Sequence, residues 1–295
     1  DPGRDHLWSC AYYRLEDAHG HVFGVCEDAF DVTDRYRVQE RLALLVEAGR
    51  RIGTVLDVAT TAEEIAEVAV PDFAATVRVD VTRAAMTGET AAVGSAADMS
   101  LLRVADRSEP GTATPDPGLP DPEGPESPRG GSGAANSAGE DRHPYPPVVY
   151  PPGSPQHRSL SSGGLVLDEG TLVVPLRAGG GILGLVTFDR GVGPDASGRP
   201  PAPDRATTFD NGEVALADEL AARAAVCIDN ARRYTRERTA SLALQRQLLP
   251  HHLPPQSAVR TAYRYLPADD VTGVGGDWFD VIPLSGTRVG LVVGD

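Results

Sequence analysis

More than half of the chain's 25 prolines fall between Pro110 and Pro155, interleaved with glycine, serine and acidic residues, and no other feature limits the fold as much. Such a composition cannot bury enough apolar surface to offset the entropy of ordering it. The segment 105–148 is therefore predicted to be a disordered insert. Strand-like sequence resumes after it without a new helical start, so the two flanks belong to one domain. Across 295 residues, a rough ~150 residues per domain leaves room for about two domains.

Charge and apolar patterning narrow the partners. The 42 acidic residues outweigh the 27 basic ones, giving a net charge of -15 and a pI near 4.8. Such a chain repels a phosphate backbone, so nucleic acid is excluded as a partner. No run reaches the ~20 apolar residues of a membrane-spanning helix, so no membrane association is expected. Three cysteines, Cys10, Cys26 and Cys227, are too few for a disulfide framework, and no signal-peptide pattern is present. The expected location is cytoplasmic. The chain starts at Asp1 and stops at Asp295 inside an apolar run, which reads as a piece of a longer protein.

Before the insert, residues 8–15 and 22–32 read as two strands around a polar turn, and a hairpin turning near Ala18 would set Cys10 opposite Cys26. Thr33 reads as the N-cap of a helix over 33–56. Its apolar positions Val38, Leu42, Leu45, Gly49, Ile52 and Leu56 repeat at alternating steps of four and three, a heptad seam suited to dimerisation or to packing on its own domain. Thr60 and Glu63 have capping-box spacing for a second helix, and Val77, Val79 and Val81 alternate as a half-buried strand. After the insert, 165–176 and 182–189 read as antiparallel strands turning at the glycine cluster. Gly179, Gly181 and Gly184 match a dinucleotide-binding GxGxxG, but that motif must open a helix, and a strand follows here. From Asn211 to Leu249 runs an alanine-rich helix of about 60 Å, long enough that its far half must leave the domain its near half closes. Leu220, Ala224, Cys227, Ile228, Ala231 and Tyr234 form its packed side.

The last segment carries the candidate chemistry. Ser285, Gly286 and Thr287 make a turn, and Asp277 and Asp295 are equally spaced on either side of Gly286. In a hairpin centred there, the two carboxylates are cross-strand partners about 5 Å apart on one face. They repel unless a cation lies between them, and hard divalent ions such as Mg²⁺ or Mn²⁺ prefer such oxygen ligands. A solvated strand edge is the alternative reading. Gly275, Gly276 and Gly294 would let backbone approach an ion.

LALQRQLLPHHLP, RYLP and GVGGDWFDVIPLSGTRVGLVVGD together resemble the opening of the SpoIIE-like branch of metal-dependent, PPM-type (type 2C) protein serine/threonine phosphatases. Upstream, EEIAEVAVPDF, VVYPPGSP, LVVPLRAGGGILGLVTFDR and ELAARAAVCIDNARRY resemble a GAF sensor domain, and the strands ending in DVTDR resemble the end of a PAS domain. The resemblance implies an α+β chain: PAS strands over 1–32, a connecting helix over 33–56, and a GAF-type antiparallel sheet with flanking helices over 57–236. A linker helix over 237–253 and the first strands of a PPM-type α/β/β/α sandwich over 254–295 follow. It implies that Asp277 and Asp295 are metal ligands for Mn²⁺ or Mg²⁺, two ions in a full catalytic domain. It further implies hydrolysis of phosphoserine or phosphothreonine by a metal-bound hydroxide. The implied partners are a phosphorylated regulatory protein such as an anti-sigma-factor antagonist, an unidentified small molecule for the GAF part, and a second copy through 33–56 and 211–249. The later aspartates of that family's two-metal cage do not occur in the sequence. The competing function is a GAF-centred dimeric sensor with a vestigial phosphatase segment.

Overall fold

The computed structural model describes residues 6–89, 100–110, 118, 144–191, 208–248, 259–264 and 277–295. Strands β1 (Trp8–Glu16) and β2 (Val22–Asp31) form an antiparallel hairpin. Asp17 organises its turn by accepting the N–H groups of His19 and His21 at 2.8 and 2.9 Å. This centres the loop beyond Ala18, and a register shift at Leu15/Glu16 follows. Cys10 therefore lies opposite Ala29, and Cys26 opposite Tyr13. The expected facing thiols are corrected by that offset.

Helix α1 (Thr33–Arg51) starts at once, but Thr33 does not cap it. Its buried hydroxyl donates to Asp31 Oδ1 at 2.6 Å and accepts the Leu7 N–H at 2.8 Å, tying hairpin to helix. The Thr33 hydroxyl, then its N–H, then His6 hold the Asp31 carboxyl down at about 2. A depressed folded pKa means that the joint is at full strength above the ordinary carboxylate value near ~3.9 and loosens only as pH falls through about 2. An NMR titration of Asp31 should place its midpoint near about 2. A midpoint in the ordinary carboxylate range would show the joint unmade.

Helix α1 ends five residues before the expected Leu56: Ile52 is extended, and Gly53 has φ 82°. A side chain at Gly53 would meet Cys227 Cβ at 3.0 Å, so glycine is required by space as well as by conformation. Helix α2 (Val58–Ala69) is capped by Asp57, three residues upstream of the expected Thr60. The Asp57 carboxylate accepts the Thr60 N–H at 2.7 Å and the Thr60 hydroxyl at 2.9 Å. Aspartate caps as well as threonine does, and Thr60 becomes its client in the first turn.

The centre of the molecule is a six-stranded antiparallel sheet. In chain order come β3 (Thr76–Thr82), the short α3 (Arg83–Thr87), β4 (Leu101–Ser108), β5 (Pro147–Val148), α4 (Pro155–Ser162), β6 (Val166–Asp168), β7 (Thr171–Ala178), β8 (Gly181–Asp189) and α5 (Asn211–Leu248). The spatial strand order is β5-β4-β3-β8-β7-β6. Both borders of the expected insert move inward, since 105–108 completes β4 and 147–148 pairs with it as β5. Residues 111–117 and 119–143 lie outside the described residues. The expected single strand 165–176 is two, broken at Glu169 and Gly170, both with positive φ. Gly179 and Gly180, at φ 60° and 83°, turn β7 directly into β8.

The two faces of the sheet differ in chemistry. Val77, Val79 and Val81 of β3, with Leu172, Val186 and Phe188, pack against α1, α2 and α5 in the main core. Leu101, Val148, Tyr150, Leu160, Val173 and Leu185 form a second cluster on the other face, beneath α4. Every residue of β3 is buried, not one face of it as the alternation suggested, because both faces are covered. Helix α5 begins with a reciprocal cap: Gly212 and Glu213 N–H donate to Asp210 Oδ1 at 2.8 and 2.9 Å, and Asp210 N–H donates to Glu213 Oε2 at 2.7 Å. Burial raises the Asp210 pKa, yet those N–H donors and Arg41 lower it overall. A separate hairpin pairs β9 (Trp278–Pro283) with β10 (Val289–Gly294). Among the described residues no helix is long and apolar enough to cross a membrane.

Candidate functional site

Two places concentrate polar chemistry. The first is the second face of the central sheet. Alternation turns Arg78 and Asp80 of β3, Arg103 of β4 and Thr187 of β8 to this side, and all four are buried. Arg103 Nε donates to Asp80 Oδ1 at 2.6 Å, and Arg103 Nη2 donates to the Tyr150 hydroxyl at 2.9 Å. The Tyr150 hydroxyl in turn donates to Asp80 Oδ2. Burial, with the Asp80 charge beside it, pushes the Tyr150 phenol far above its ordinary range, so it stays a hydrogen-bond donor. At the mouth, the Asp106 carboxylate lies 3.6 Å from Arg78 and 3.5 Å from Arg103.

Among the described residues, the buried Thr187 Oγ1 and Gln156 Oε1 have no hydrogen-bond partner. The register makes Thr187 the cross-strand neighbour of Arg78. Ser154 caps α4 by accepting the His157 N–H at 3.2 Å, and Gln156 follows in the first turn. At the other end of α4, the Gly163 carbonyl accepts from Arg177 of β7 at 2.9 Å, and Arg158 is paired with Asp168 of β6 at 2.7 Å, so α4 lies over β6 and β7. Sequence reading missed this polar layer entirely. Its signal was Arg78 and Asp80 between the valines of β3, charged residues that a half-exposed strand would turn to solvent.

The second place is the β9/β10 hairpin. Its register runs without interruption from Val289 opposite Pro283 to Gly294 opposite Trp278, and Gly286 turns the loop at φ 76°. Carried one residue further, the same register puts Asp277 opposite Asp295, both exposed. The glycine before Asp295 has a different reason from the one expected. A Cβ on Gly294 would stand 2.6 Å from Trp278 Cε2, so the indole lies across its backbone. Gly275 and Gly276 lie outside the described residues. Two opposed carboxylates fit one side of a hydrated Mg²⁺ or Mn²⁺ shell, which often takes only one or two protein carboxylates. Among the described residues no group of three His, Cys, Asp or Glu comes together as a metal cage.

No family model matches the sequence, and no curated protein matches it. Among solved structures, the GAF domain from Acinetobacter phosphoenolpyruvate-protein phosphotransferase superposes with a TM-score of 0.39 at 10% identity, over 65% of this chain and 94% of that one. The described residues form a mixed α/β architecture built on antiparallel sheet.

Proposed function

We propose that residues 57–236 form a GAF-type sensor module whose binding layer is the second face of the central sheet. The observation that carries this reading is the polar centre of that face. A surface made only for packing would be apolar, as the first face is, yet this one buries Arg78, Asp80, Arg103 and Thr187. Burying unpaired polar atoms costs about 1–3 kcal/mol each, and Thr187 Oγ1 and Gln156 Oε1 both bear that cost. A small polar ligand bonded to these groups would remove it, with Arg78 across from Thr187 to favour an acidic group.

Thermal unfolding in millimolar acetate, inorganic phosphate or acetamide separates anionic from neutral recognition. One of the three should raise the midpoint in the wild type and not in Thr187→Val. Equal shifts in both proteins, or no shift with any probe, would overturn the assignment.

A second reading has its own observation. The register that opposes Asp277 to Asp295 supports the start of a metal-dependent protein phosphatase, with the PAS and GAF parts upstream as its control and α5 as the connecting rod. In that reading Asp277 and Asp295 would hold Mn²⁺ or Mg²⁺, which would supply a nucleophilic hydroxide toward a phosphorylated regulatory protein. Among the described residues, the chain would contribute the two ligand carboxylates of Asp277 and Asp295. Mn²⁺ should bind the wild type, read by electron paramagnetic resonance, and at least tenfold more weakly to Asp277→Asn. Equal binding would remove the pair from any metal site.

A further inference from the structure

A β-bulge arranges the charges of the second face. Val79 pairs with Ala105 and Asp80 with Arg103, which leaves Val104 as the extra residue of β4. Val104 and Ala105 both pack into the main core, so the alternation of β4 is reset between them. In a regular strand Arg103 and Asp106, at i and i+3, would point to opposite faces. The bulge turns both to the second face, where Asp106 stands directly opposite Arg78. Across β4, β3 and β8 the register then reads Asp106, Arg78, Thr187. Arg78 has a carboxylate on one side and the buried Thr187 hydroxyl on the other.

The two carboxylates of the layer are held very differently. The Asp80 side chain is 0% exposed and accepts from Arg103 Nε at 2.6 Å and from the Tyr150 hydroxyl. The Asp106 side chain is 42% exposed and stands 3.6 Å from Arg78 Nε and 3.5 Å from Arg103 Nη1. Those separations exceed the ~2.7–2.9 Å of a charge-assisted hydrogen bond. Asp106 therefore balances the guanidinium charges from the mouth without being fixed there, and it is the carboxylate that can be exchanged.

We propose that Asp106 is a built-in competitor for the ligand of this layer, and that the ligand is a small monocarboxylate. The inference rests on the second face being the binding layer and names what that layer takes. The ligand carboxylate accepts from the Thr187 hydroxyl and from Arg78, and Asp106 gives up Arg78 and turns out to solvent. Charge selects the monoanion. Arg78 and Arg103 are balanced by Asp80 and Asp106 in the free chain, and one arriving carboxylate with Asp106 released keeps that balance. A phosphate dianion would leave an uncompensated negative charge in a buried layer. Asp189, the next residue of β8 on this side, already accepts the Gly191 N–H at 2.7 Å and adds to that penalty. Competition also sets the affinity, because the apparent Kd rises as the fraction of free sites falls: an Asp106 engaged for about nine-tenths of the time weakens binding about tenfold.

The test is an NMR titration of the full chain with acetate. Acetate should bind Asp106→Asn about tenfold more tightly than the wild type, while acetamide, of the same shape without the charge, should bind both alike. Adding Thr187→Val to Asp106→Asn should abolish the gain. Equal acetate affinity in the wild type and Asp106→Asn, lost from both with Thr187→Val, would overturn the competition and leave the binding layer standing. No acetate binding to any variant would remove the layer and the competition together. A gain as large for phosphate or acetamide would overturn the assignment to a monocarboxylate.

Discussion

Asp80→Leu is expected to destabilise the chain by about 3–5 kcal/mol, the cost of breaking a buried ion pair by removing one partner. The loss does not measure the attraction between Asp80 and Arg103, which had to offset two desolvations. It measures what remains: a guanidinium 5% exposed in its side chain without its carboxylate, and a Tyr150 hydroxyl without its acceptor. The double variant Asp80→Leu with Arg103→Met should therefore recover most of the loss, since two apolar groups of similar size can replace a buried pair at little cost. Urea unfolding of the wild type, both singles and the double closes the cycle. A single variant within about 1 kcal/mol of wild type would mean that Asp80 is solvated and that the layer beneath α4 is open.

The same network shows why this part of the molecule was hidden in the sequence while the helices were not. Helix α5 starts at its expected Asn211 and runs to Leu248, the last residue described there, and Leu220, Ala224, Ile228 and Ala231 are buried as their spacing requires, because a 3.6-residue period is a local property. Asp80, Arg103 and Tyr150 are 23 and 47 residues apart along the chain, and only strand pairing brings them together. The start of α5 was legible at Asn211, whereas those of α1 and α2 were legible in kind but not in position. Asp57 and the DNGE cap at Asp210 were both written in the sequence, but Thr33 and Thr60, equally good cap residues, stood nearby and had to lose to a neighbour. Asp31 took the Thr33 hydroxyl, and Asp57 took that of Thr60. The hairpin of Asp277 and Asp295 was legible because one turn sets its register. The Cys10 and Cys26 hairpin was not, since Asp17 moved its turn. On α1 the seam was visible as a repeat, but Leu45 and Ile52 of that repeat pack into the core of their own domain.

Two glycines of the 179–184 stretch, Gly180 and Gly184, should separate sharply when each is changed to alanine. Gly180 lies in the β7–β8 turn at φ 83° with open space around it, so alanine there meets only the backbone cost of the left-handed region, about 1 kcal/mol. Gly184 has no positive φ, and its reason is space. It stands in β8 between Val81 of β3 and Leu176 of β7, at the middle of the sheet. A Cβ on it would come 2.9 Å from the Val81 Cα and 3.1 Å from the Asp80 carbonyl carbon. Those are backbone atoms, and no rotamer change can move them aside. The sheet would have to part between β3 and β8 at the strand that carries Asp80, loosening the Arg103 and Tyr150 bonds together with the ladder. Gly184→Ala should therefore cost about 4 kcal/mol, in the range reserved for steric failure in a core. Urea midpoints of the two variants decide the matter. Equal, small losses at Gly180 and Gly184 would mean that β3 and β8 do not pack this closely.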